Sequence, residues 1–133
     1  MLFQIDASSM VPIYAQIVGQ VRAGVASGTL RAGDPLPSAR QLASELRVNP
    51  NTVAQAYREL DREGLTTVQR GQGTFVAALA NGRREEERAR VARDLVERML
   101  AEAARIGVAP ADLRRAVDEA MAPDAAPAGG PAR

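Results

Sequence analysis

Two helix starts stand close together in the middle of this chain. Ser38, with Gln41 three residues on, has the form of a capping box, in which the two side chains satisfy two backbone donors reciprocally. Asn49 followed by Pro50 is a capping residue ahead of a proline at the first helical position. Between the two starts there is room only for a helix of about two to three turns and a tight connection. The first helix has Ala39, Leu42, Ala43 and Leu46 on its apolar face, and Arg47-Val48 supplies the turn. The second turns Val53, Ala56, Tyr57 and Leu60 inward and ends at Gly64-Leu65 in a Schellman-like cap. Two short helices joined in this way have the spacing of a helix-turn-helix.

The flanks complete the unit. Pro12 suits a first helical turn, and Tyr14, Ile17, Val18, Val21 and Val25 recur at helical spacing as far as Gly28, which can form a left-handed cap. Residues 31–37 are a turn-rich connector with a short strand expected around Leu36. After the helix pair, two β-prone runs, Leu65–Gln69 and Thr74–Ala77, enclose Arg70-Gly71-Gln72-Gly73, the pattern of a hairpin. Composition then changes. Residues 81–106 are crowded with Arg and Glu around Val91, Leu95, Met99 and Ile106, which predicts a long amphipathic helix. Gly107 breaks it, and Pro110 with Asp112 starts a shorter helix carrying Leu113, Val117, Ala120 and Met121 on one side. The expected architecture is therefore mainly α with a small β-hairpin, a winged helix-turn-helix followed by two helices. Its parts are an N-terminal arm (1–10), the winged helix-turn-helix (11–78), a C-terminal helical region (79–122) and an Ala/Pro/Gly-rich tail (123–133) expected to be disordered.

Composition narrows the function by exclusion. Cysteine and histidine are absent, which removes disulfide frameworks, Cys/His zinc sites, cysteine nucleophiles and histidine bases. The glycine loop at 71–73 is not a nucleotide fingerprint: the chain has no lysine for a P-loop, and β-prone residues follow where a dinucleotide site needs a helix. Glu85–Glu87 reads as a solvated first helical turn, favoured by the dipole, and not as a metal site. No enzyme, metal or cofactor is expected. No basic segment leading into a long apolar stretch opens the chain, and no run approaches the roughly 18 apolar residues of a membrane span. The expectation is a cytoplasmic protein with no membrane contact.

Charge points to a partner only locally. All 17 basic residues are arginine against 16 acids, so a basic surface must come from segregation along the chain. With its apolar residues inward, the second helix of the pair presents Asn51, Gln55, Arg58 and Arg62 on the opposite stripe. In a helix-turn-helix this helix lies in the major groove, where Asn and Gln can pair with adenine and Arg with guanine or phosphate. Arg40 stands near the start of the other helix, where a cation opposes the dipole but strengthens the grip of free amides on phosphate. Each reading has a plainer counterpart. Asn51 and Gln55 can be ordinary surface residues, Arg40 can pair with Glu45 or Asp34, and the hairpin glycines can serve the turn alone. Yet the hairpin directly follows the candidate recognition helix and carries Arg70, suited to a narrow minor groove. A winged helix that meets another protein is the alternative.

Taken together, residues 36–76 resemble the DNA-binding domain of the GntR family of bacterial transcription regulators. The similarity rests on Leu36-Pro37-Ser38-x-Arg40-x-Leu42-Ala43, Asn51-Thr52-Val53, Glu63-Gly64-Leu65 and Gly71-x-Gly73-Thr74-Phe75-Val76, and extends back through Pro12-Ile13-Tyr14. The variant around Asn49-Pro50 and the short C-terminal part are similar to the YtrA subfamily. The resemblance implies DNA contacts at Ser38, Arg40, Asn49, Asn51, Thr52, Arg70, Gly71 and Gln72, with Gly73 completing the wing. It also implies a homodimer on a two-fold related operator, and repression of a small, transporter-type operon. Positions 50 and 54, often arginine in the wider family, are Pro50 and Ala54 here, which shifts the readout toward Asn51, Gln55 and Arg58. The apolar stripes of the C-terminal helices, with Val91, Leu95, Met99, Ile106, Leu113 and Val117, need a partner. That partner is the same helices of a second copy, or else their own winged helix. Two helices alone cannot enclose a large ligand pocket, and an effector remains open.

Overall fold

The computed structural model describes residues 3–123, so the tail expected to be disordered lies outside the described residues from 124 onward. Seven elements follow in order: α1 (Ile13–Ser27), α2 (Ala39–Leu46), α3 (Pro50–Arg62), β1 (Thr66–Gln69), β2 (Gly73–Val76), α4 (Arg83–Ile106) and α5 (Pro110–Met121). They form two compact units, one ending at Ala92 and one beginning at Arg93, with α4 running from the first into the second.

The first unit is a three-helix core with a hairpin. Ile17, Val21 and Val25 of α1 meet Leu42 of α2, Val53, Ala56 and Leu60 of α3, and Leu65 just beyond it. The pattern is aliphatic because the chain has almost no aromatic residues to bury. Both central helices begin on side-chain caps. Ser38 Oγ accepts from Gln41 N at 3.0 Å, and Asn49 Oδ1 accepts from Asn51 N at 2.8 Å. The return half of the capping box, from Gln41 to the Ser38 backbone, is not formed. α3 ends in a Schellman pair, with Leu65 N on Leu60 O and Gly64 N on Asp61 O, both 3.0 Å, and Gly64 at φ +79°. Each cap satisfies a backbone group that the helix end would otherwise strand.

The hairpin begins and ends one residue away from the sequence expectation. Its register pairs Thr66 with Val76 and Gln69 with Gly73, leaving Arg70, Gly71 and Gln72 as the loop. The 31–37 connector lies along the other edge of β2: Gly33 N donates to Val76 O, Val76 N to Asp34 O and Leu36 N to Thr74 O, at 2.8–2.9 Å. The strand expected around Leu36 is reduced to a single bridge from Pro35 to Phe75 beside a two-stranded sheet. Residues 3–11 are not a free arm. Gln16 and Gln20 of α1 bond the backbone of Asp6, Val11 and Gln4, and Phe3 and Ile5 pack against the core.

Glu87 corrects another expectation. It is not solvated with its neighbours but 3% exposed, because Arg22 and Arg83 both reach its carboxylate. The first turns of α4 therefore belong to the first unit, beyond the composition change at 78/79. In the second unit α4 closes at Gly107 (φ +86°), with Val108 N on Ala103 O at 2.8 Å, and α5 starts on Pro110. No residue of α5 is buried, and Leu95, Leu100, Ile106 and Met121 are exposed.

Candidate nucleic-acid interface

The candidate residues come from three segments, and all are open to solvent to some degree. Ser38 and Arg40 stand at the start of α2, exposed. Asn49, Asn51, Gln55 and Arg58 are exposed along the start and outer face of α3, while Thr52 is half-buried. Arg70, Gly71, Gln72 and Gly73 form the exposed end of the hairpin, whose base is anchored by buried Thr66 and Val76. Gly71 at φ +78° lets the loop turn where a side chain would strain it.

The caps bias the chemistry of the helix starts toward donation. Asn49 Oδ1 and Ser38 Oγ already accept backbone bonds, so what remains free is the Asn49 amide NH2 and the Ser38 hydroxyl proton. Both are donors, suited to phosphate and to acceptor edges of bases. Tyr57 sets where these groups stand. Its hydroxyl donates to Pro37 O at 2.6 Å, tying α3 to the residue that delivers the α2 cap. Burial, with Glu45 nearby, pushes the Tyr57 phenol above its ordinary range, so it stays a donor.

Ion pairing sorts the arginines. Among the described residues, Arg22, Arg62, Arg83, Arg88, Arg90, Arg105 and Arg115 are paired with carboxylates. Arg31, Arg40, Arg47, Arg58 and Arg70 are not, nor are Arg84, Arg93, Arg98 and Arg114 of α4 and α5. Asp34 instead accepts from the Arg31 backbone N at 2.8 Å, and the pairing of Arg40 with Glu45 or Asp34 is not formed. Arg62, on the same stripe as Arg58, is neutralised by Glu59 and drops out of the candidate set. From residue 31 to the hairpin every arginine but Arg62 is thus unpaired, although the whole chain is nearly neutral.

The family model for bacterial regulatory proteins of the gntR family matches residues 13–76. The HTH-type transcriptional repressor YtrA of Bacillus subtilis (strain 168) is 37% identical over 107 residues, 80% of this chain and 82% of that protein. The chain belongs to the GntR family. Among solved structures, a transcriptional antiterminator from Listeria monocytogenes EGD-e superposes with a TM-score of 0.65 at 32% identity, covering 90% of each chain. YtrA from Sulfolobus acidocaldarius, a GntR-family transcription factor, matches with a TM-score of 0.57 at 38% identity, over 76% of this chain and 99% of that one. The GntR assignment makes the protein a transcription regulator with a winged helix-turn-helix DNA-binding domain, not an enzyme. No helix among the described residues is long and apolar enough to cross a membrane.

One cluster of this GntR chain escapes the sequence reading. Arg22 of α1, itself 7% exposed, pairs with Glu63 at the end of α3 and lies 3.5 Å from Glu87 of α4. Arg83 bonds Glu87 at 2.8 Å and the Glu63 carbonyl at 2.8 Å, and Arg90 approaches Glu63 at 3.6 Å. A signal was present: Arg22 follows Val18 by one helical turn and precedes Val25, in register with the apolar face. An arginine there needs buried carboxylates, and the sequence alone does not say which.

Proposed function

We propose that the chain is a sequence-specific DNA-binding repressor that acts as a homodimer on a two-fold symmetric operator, in the cytoplasm, controlling a small operon such as one for a transporter. The observation that carries the reading is that Arg40, Arg58 and Arg70, all unpaired and exposed, stand with free donors at the start of α2, on the outer face of α3 and at the hairpin end. Arg40 and the donors around it contact phosphate and set the register; Asn51, Gln55 and Arg58 read base edges; Arg70 and the glycine loop approach the neighbouring backbone or minor groove. Repression is supported by the Bacillus relative, which is a transcriptional repressor. Dimerisation is supported by the unpartnered apolar residues of α4 and α5. Footprinting of the purified protein on genomic fragments tests the whole reading. Two related protected half-sites one helical turn or a multiple apart are expected, with affinity falling as salt rises. Binding that does not depend on salt, or no protection at all, would sink the DNA reading and favour a protein partner.

A further inference from the structure

Arg47 is the one non-glycine residue with positive φ among the described residues, at φ 58° in the left-handed region. It stands in the turn between α2 and α3, two residues before the Asn49 cap. The cap it provides is made by backbone alone, its N–H closing on Ala43 O and Ser44 O. Glycine would supply the same bonds without the clash between Cβ and the following carbonyl. The side chain repays none of this through packing or pairing, since it is exposed and has no carboxylate within ion-pairing distance among the described residues. A cation at a helix C-terminus gains from the dipole, but an exposed one gains little.

Backbone strain of this kind clusters at functional sites. We propose that Arg47 is a further DNA-binding residue, a phosphate contact placed by the turn itself at the entrance of the recognition helix. The proposal rests on the DNA reading above. An arginine here adds a long, mobile cation beside Asn49 and Asn51, where the backbone alone would present only a neutral turn. Its contact is to phosphate and not to bases, so it adds affinity to every DNA sequence alike.

Three variants of the full chain, Arg47→Gly, Arg47→Asn and Arg47→Lys, test the assignment by thermal denaturation and by titration with operator and non-operator duplexes at several salt concentrations. Arg47→Gly should raise the thermal midpoint by about 2–5 °C as strain is relieved. The same variant should bind both DNAs about three- to tenfold more weakly, with the salt slope reduced by about one. Arg47→Asn should lose the same slope, because Asn tolerates the left-handed region without charge. Arg47→Lys should keep most of the slope. Wild-type affinity and slope in Arg47→Gly and Arg47→Asn would overturn the proposal while leaving the DNA reading in place. A wild-type chain that binds neither duplex with salt dependence would overturn both.

Discussion

Asn49 and Asn51 show how two identical side chains two residues apart come to different work. Asn49 spends its oxygen on the Asn51 backbone and is a cap first, a ligand second. Asn51 has no such duty. Replacing Asn49 with Ala should therefore cost about 1 kcal/mol of folding stability. Asn51→Ala or Gln55→Ala should leave stability within about 0.5 kcal/mol but cost roughly 1–3 kcal/mol on the operator and little on random DNA. Denaturation and binding titrations on the same preparations separate the two effects. Equal losses on both DNAs would refute base reading by Asn51 and Gln55. Tyr57 adds a pH dependence. Its phenol is held above its ordinary value, so the folded state keeps the proton more tightly than the unfolded one. Its contribution is whole below about pH 10, where the unfolded phenol begins to ionise, and is lost as pH rises through the folded value. Tyr57→Phe should remove that alkaline slope and cost about 1 kcal/mol at neutral pH through the lost bond to Pro37 O.

At the scale of elements, the recognition helix is held at both ends by different physics. Its start is a polar cap joined by Tyr57 to the segment before α2, and its end is a buried ion cluster. Glu63 closes α3, and its carboxylate and carbonyl are taken by arginines from α1 and α4. Buried charge of this sort stabilises little compared with a well-packed apolar equivalent, but breaking one partner out is costly. Arg22→Met should leave Glu63 and Glu87 with weaker partners in a dry site and destabilise the first unit by about 3 kcal/mol, read from the denaturant midpoint. The loss should be smaller when Glu87→Gln is added, since one stranded charge disappears. A single variant as stable as the wild type would mean that water reaches the cluster freely. The hairpin is held differently, by backbone bonds on both edges of β2, so its exposed end can vary while its base stays fixed.

For the whole molecule the question is what covers the C-terminal helices. Leu95, Leu100 and Ile106 are exposed, Val91, Met99, Leu113 and Val117 are only half-buried, and α5 buries nothing. Helices with so little of their apolar surface covered do not persist on local propensity alone. In the dimer we propose, a second copy supplies that surface and also the second head that a two-fold operator requires. Leu95→Arg combined with Leu113→Arg should turn a dimer into a monomer in sedimentation, leaving the winged helix folded. Operator affinity should fall about a hundredfold or more as two linked contacts become one. A wild-type chain that sediments as a monomer at micromolar concentration would overturn the dimer.

Much of this was legible in the linear sequence, for a physical reason. Caps, left-handed glycines and apolar periodicity act within a few residues, so Ser38, Asn49, Gly64 and the repeat of Val53, Ala56 and Leu60 place α2 and α3 by local chemistry alone. The outward stripe of α3 follows from the same periodicity by subtraction. Other features depend on residues far apart in the chain, and no local signal carries them. Glu87 looked like one of three solvated acids until α1 brought Arg22 to it. Arg62 and Arg58 are alike in sequence and differ only in whether a carboxylate stands within reach. The edge of β2 that the 31–37 connector pairs with and the tethering of residues 3–11 by Gln16 and Gln20 were likewise decided by packing. Local sequence thus determined which elements form and which faces are polar. The tertiary structure decided which charges are spent inside the protein and which are left for a partner, because pairing depends on distance in space.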